Sequence, residues 1–113
     1  MEKIVKQAIL YDFYGELLTA HQKQIYEDAV FNDLSLSEIA EEQGISRQGV
    51  HDLLKRCDKL LTGYEDKLHL IDKFLKTKEM VGEIHRLTKT YIETQNMELI
   101  HQIERISSEI EEL

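Results

Sequence analysis

The sequence predicts an all-α chain, and three observations predict it. Of its 113 residues none is proline, five are glycine and 32% are charged, so the strongest helix breaker is missing and helix formers are plentiful. No stretch sustains a period-two alternation of apolar and polar residues, and no Asn-Gly or Asp-Gly pair offers a hairpin turn. Apolar residues instead recur at helical spacing along most of the chain.

The elements follow in order. A first helix is expected over about residues 2–18, where Ile4, Val5, Ala8, Ile9, Tyr11, Phe13 and Leu17 form a stripe broadened by Tyr14 and Leu18. Thr19, with Gln22 three residues on, can cap a second helix to about residue 31, buried through Ile25, Ala29 and Val30. Asn32-Asp33 reads as a turn. Ser35 or Ser37 starts a short third helix that ends near Gln43, with Gly44 as its left-handed terminator. Ser46 caps a fourth helix, expected to reach about Leu61 before Gly63. This gives a head of residues 1–62. Residues 63–113 form a helical extension, interrupted at Thr94-Gln95-Asn96, with Asn96 as a further cap. Within the extension Leu68, Ile71 and Leu75, then Leu99, Ile103, Ile106 and Ile110, make heptad-like seams suited to oligomerisation or partner binding. A homodimer is the expectation.

Charge narrows the function. The chain carries 14 basic and 22 acidic side chains, net −8, which argues against non-specific binding to nucleic acid or anionic membrane. Each half, 1–62 and 63–113, holds 7 basic and 11 acidic residues, so the tail is not an acidic mask over a basic head. A lone cysteine, Cys57, excludes an internal disulfide framework, and no apolar run reaches a membrane span of roughly 18–20 residues. The N-terminus lacks the apolar core of a signal peptide, so a reducing, cytoplasmic setting is expected. His21, His51, His69, His85 and His101 show no His-x3-His spacing, and Glu41-Glu42 and Glu111-Glu112 lack the placement for acid–base work. No metal, cofactor or catalytic group is expected.

The informative stretch is Leu34 to Lys55, which has the spacing of a helix-turn-helix. Ile39 and Ala40 fit the first motif helix, Gly44 the turn, Ile45 the apolar pin and Ser46 the second cap, while Val50, Leu53 and Leu54 form the inward face. Arg47, Gln48, His51, Lys55 and Arg56 are then left outward, with Lys59 a turn beyond. In a nucleic-acid reader Arg47 and Gln48 would meet base edges, and Lys55, Arg56 and Lys59 phosphates. Asp52 would repel phosphates unless it pairs with Arg56 at i+4. The competing readings are a solvated helix face and a motif kept for packing alone.

The runs Leu36-Ser37-Glu38-Ile39-Ala40, Gly44-Ile45-Ser46-Arg47-Gln48-Gly49-Val50 and Leu54-Lys55-Arg56 resemble region 4 of bacterial sigma factors. A match over nearly the whole chain rests on Leu10-Tyr11-Asp12-Phe13-Tyr14-Gly15-Glu16-Leu17-Leu18-Thr19, the helix start Ser46-Arg47-Gln48-Gly49-Val50-His51-Asp52 and Leu60-Leu61-Thr62-Gly63-Tyr64-Glu65-Asp66-Lys67-Leu68-His69-Leu70, which resemble the YlxM family of small bacterial helix-turn-helix proteins. The resemblance implies a sigma-region-4-like four-helix head followed by C-terminal helices. It also implies a regulatory, non-enzymatic role in the signal recognition particle pathway, with the particle's protein or RNA as partner. A sequence-specific DNA-binding regulator and an interaction module without nucleic acid are the alternatives.

Overall fold

A computed structural model describes residues 2–113, and the protein is all-α, with no strand among the described residues. Six α-helices follow in order: α1 (Lys3–Tyr14), α2 (Ala20–Val30), α3 (Leu36–Gln43), α4 (Arg47–Leu68), α5 (Leu70–Thr94) and α6 (Met97–Glu111). The chain forms two compact units, the first running through Ile71 and the second Asp72–Leu113. The first unit therefore extends past the boundary expected at residue 62.

Local signals set most of the starts. Thr19 and Gln22 close a reciprocal capping box on α2, and Ser35 and Glu38 close another on α3. The backbone N–H of Ser35 donates to the Glu38 carboxylate, and this holds its pKa below the ordinary value. Gly44 takes φ 68° and ends α3, after which the Ile45 N–H donates to the Ala40 carbonyl at 3.1 Å. Ile45 itself is 39% exposed, so backbone geometry pins this turn more than the apolar side chain expected to do so. Ser46 Oγ accepts from the Gly49 N–H at 2.9 Å, and a Cβ on residue 49 would sit 3.1 Å from that oxygen. Gly49 thus serves the cap.

Two expected helix limits move. α1 stops at Tyr14 and the chain tightens into a 3-10 turn over Gly15–Leu17. A Cβ on Gly15 would meet the Tyr11 ring at 2.8 Å, so the absent side chain lets the turn lie on that ring. α4 runs through Gly63 to Leu68 rather than stopping near Leu61. Glycine inside a helix costs only about 1 kcal/mol, and burial of Leu61 with half-burial of Tyr64 outweighs it. His69, at φ 56°, makes the break instead.

Two apolar clusters fill the first unit. Leu10, Tyr14, Leu18, Tyr26, Cys57, Leu61 and Ile71 form one. Ile25, Ile39, Ala40 and Val50 form the other, and Leu53 and Leu54 pack against both. Because α4 supplies both clusters, its rotation about its own axis is fixed. Polar ties between distant residues reinforce this. Gln7 Nε2 donates to both Asp58 carboxylate oxygens at 3.0 Å, and Tyr26 Oη donates to one of them at 2.7 Å. Tyr14 Oη donates to Glu65 Oε1 at 2.6 Å and accepts from the Leu70 N–H. Glu65 Oε1 also accepts from the Ile71 N–H at 2.9 Å, so one carboxylate at the end of α4 satisfies the start of α5.

In the second unit Gln95, at φ 55°, and Asn96, whose Oδ1 accepts from the Glu98 N–H, turn the chain into α6. Leu87 is buried, and Leu99, Ile103, Ile106 and Ile110 are half-buried. Of the residues expected to form the association seams, Leu68 and Leu75 are exposed. Ile71 is not available to a seam, because the Glu65 cap draws it into the core of the first unit. No helix among the described residues is long and apolar enough to cross a membrane.

Candidate nucleic-acid interface

α3, the Gly44 turn and the N-terminal half of α4 build the candidate surface. With Val50 fully buried and Leu53 and Leu54 turned inward, Arg47, Gln48, His51 and Lys55 are left exposed, as helical spacing requires. Arg47, Gln48 and His51 line a depression with Leu36 of α3. Leu36 and His51 also line a cleft of about 410 Å³ whose other walls are Lys55, Asp58 and, from α1, Lys3 and Gln7. The two are neighbours, sharing Leu36 and His51.

The structure separates the six cationic and polar candidates. Arg47, Gln48, His51 and Lys55 belong to this continuous surface. Arg56 and Lys59 instead line a second groove, of about 320 Å³, with Leu60, Gly63, Tyr64 and Lys67. Lys55 and Arg56 are adjacent in sequence, but a helix turns about 100° between neighbours, which sends them to different sides. Lys3 and Lys67 lie outside the set named from sequence. The signal for Lys3 is its spacing, because Lys3, Gln7, Leu10 and Tyr14 continue one stripe of α1 at steps of 4, 3 and 4.

Asp52 does not pair with Arg56. Its Oδ1 accepts from Gln48 Nε2 at 2.9 Å and lies 3.6 Å from His51 Nδ1. Gln48, the side chain suited to adenine, is thus held by an internal acceptor. Beneath the surface Cys57 is fully buried, and burial pushes its thiol up to about 11, so it is protonated and unreactive at neutral pH. Burial, ahead of the hydrogen bond to Asp58, raises the Tyr26 hydroxyl above its ordinary value of 10.0. Tyr11, bonded to Glu27 and stacked on Tyr26 with centroids 5.6 Å apart, is raised for the same reason. These groups are frame rather than chemistry. Among the described residues no three His, Cys, Asp or Glu gather as a metal site.

Comparison with known proteins gives the family to which the chain is similar. The model of the UPF0122 family, described as "Putative helix-turn-helix protein, YlxM / p13 like", matches residues 1–105. A UPF0122 protein of Acetivibrio thermocellus is 42% identical over 114 residues, covering 100% of this chain and 97% of that protein. One from Bacillus pumilus is 39% identical over 107 residues, covering 94% and 97%. One from a Thermoanaerobacter species is 42% identical over 106 residues, covering 93% and 91%.

Proposed function

The chain belongs to the UPF0122 family of YlxM / p13 like helix-turn-helix proteins, and on that premise we propose that it is a non-enzymatic regulator that binds nucleic acid through α4. The pathway we assign it to is protein targeting by the signal recognition particle, as its YlxM-type motifs imply, in the cytoplasm and as a homodimer. One observation carries the nucleic-acid reading. Arg47, Gln48, His51 and Lys55 share one exposed surface of a helix whose opposite face is locked into two cores.

In this reading Arg47 and Gln48 reach base edges, and His51 follows one turn along. Lys55 holds a phosphate on the same side, while Arg56 and Lys59 meet backbone on the other side of α4. Gln48 gives up its bond to Asp52 in order to read a base. A promoter-type DNA regulator is the second reading, favoured by the placement of Arg47 and Gln48 at the first turn of α4.

The test is affinity capture of the tagged protein from cell extract, run untreated and after RNase or DNase. Enrichment of the particle's protein or RNA over a mock capture, lost on RNase treatment, is the expected result. DNase-sensitive enrichment of DNA instead favours the second reading. Partners that survive both nucleases make the contact protein-mediated, and no enrichment at all overturns the pathway assignment.

A further inference from the structure

Resting on the nucleic-acid reading above, we infer that Lys3 of α1 is a phosphate contact, so that the polynucleotide backbone passes through the cleft between α1 and α4. Lys3 and Lys55 stand in the same cleft, on different helices. Sequence proximity does not explain this, because the two are brought together by the tie from Gln7 to Asp58, one turn along α1 from Lys3. Both lysines are exposed, and among the described residues neither forms an ion pair, whereas Lys23 and Lys76 do.

The cleft suits an anion despite holding a carboxylate. Asp58 is half-buried, and its oxygens already accept from Gln7 and Tyr26, so they present acceptors already engaged. The two ammonium groups outnumber that one carboxylate, in a chain of net −8. A backbone phosphate is singly charged and repeats along the polymer, so one lysine on each wall matches a chain that threads past. The cleft also adjoins the depression that holds Arg47 and Gln48, with Leu36 and His51 lining both. Backbone held here is therefore continuous with bases presented to the first turn of α4. Phosphate contacts fix register without reading sequence, and Lys3 makes α1 a register-setting element of the motif.

Salt dependence tests this. Binding to a mixed-sequence DNA duplex, and to an RNA duplex of the same sequence, is measured by fluorescence anisotropy across a salt series. The proteins are wild type, Lys3→Ala, Lys3→Gln, Lys3→Arg, Lys55→Ala and Lys89→Ala, the last being an exposed lysine of α5. With the better-bound duplex, Lys3→Ala, Lys3→Gln and Lys55→Ala should each reduce the slope of log affinity against log salt by about one unit. Lys3→Arg should keep the slope, and Lys89→Ala should leave it unchanged. A reduced slope for Lys55→Ala with an unchanged one for both neutral Lys3 variants overturns the Lys3 assignment and leaves the α4 reading standing. An equal reduction in Lys89→Ala makes the effect one of net charge and also overturns it. No salt-dependent binding to either duplex overturns both.

Discussion

Asp52 shows how one side chain sets the strength of a surface. It lies among the residues that would face a polyanion, and it already holds the Gln48 amide. Any ligand reading through Gln48 must displace that bond and tolerate the carboxylate. Asp52→Asn removes the charge and keeps an acceptor for Gln48, so duplex affinity should rise by between about 2- and 10-fold at low salt. Unchanged affinity in the anisotropy titration would mean that Asp52 does not face the polymer. The composition of this surface was legible, because Val50, Leu53 and Leu54 define the inward side and helical spacing fixes the rest. The partner of Asp52 was not. Gln48 at i−4 and Arg56 at i+4 are equally placed along the helix, and only the side-chain rotamer decides between them.

At the scale of elements, two glycines in similar helical backbone play opposite parts. Gly15 lies under the Tyr11 ring, which is itself held by Glu27 and by stacking on Tyr26. Gly63 has nothing within 4 Å of where a Cβ would stand. In urea unfolding, Gly15→Ala should destabilise the protein by about 1–3 kcal/mol, while Gly63→Ala should stabilise it by up to about 1 kcal/mol. Equal effects would mean that the Tyr11 contact does not constrain the turn. The helix starts were readable because caps are local, as the pairs Thr19 with Gln22 and Ser35 with Glu38 show. The end of α4 was not, because it depends on Tyr14 reaching Glu65 from 51 residues away. The placement of Lys3 beside Lys55 was hidden for the same reason, since Gln7 and Asp58 are equally far apart in sequence.

At the scale of the molecule, the first unit has two buried clusters, whereas the second buries Leu87 and leaves large apolar side chains in view. Ile92 is 70% exposed, Met97 57% and Val81 52%. Such surface favours association, and sedimentation equilibrium should show a monomer–dimer equilibrium that Ile92→Glu weakens on the order of tenfold. A monomer at every concentration would overturn the homodimer. The polar ties of the first unit bear on a different matter, the order in which it can assemble. A chain is synthesised from its N-terminus, yet Gln7 and Tyr14 of α1 find their acceptors only at Asp58 and Glu65 of α4. During translation α1 can meet α2 first, through Tyr11 with Glu27 and Tyr26, but the acceptors of Gln7 and Tyr14 arrive only when nearly all of α4 has left the ribosome. The contacts of α1 with α4 therefore close last, so a nascent chain halted before residue 58 has no completed cleft between those helices to offer.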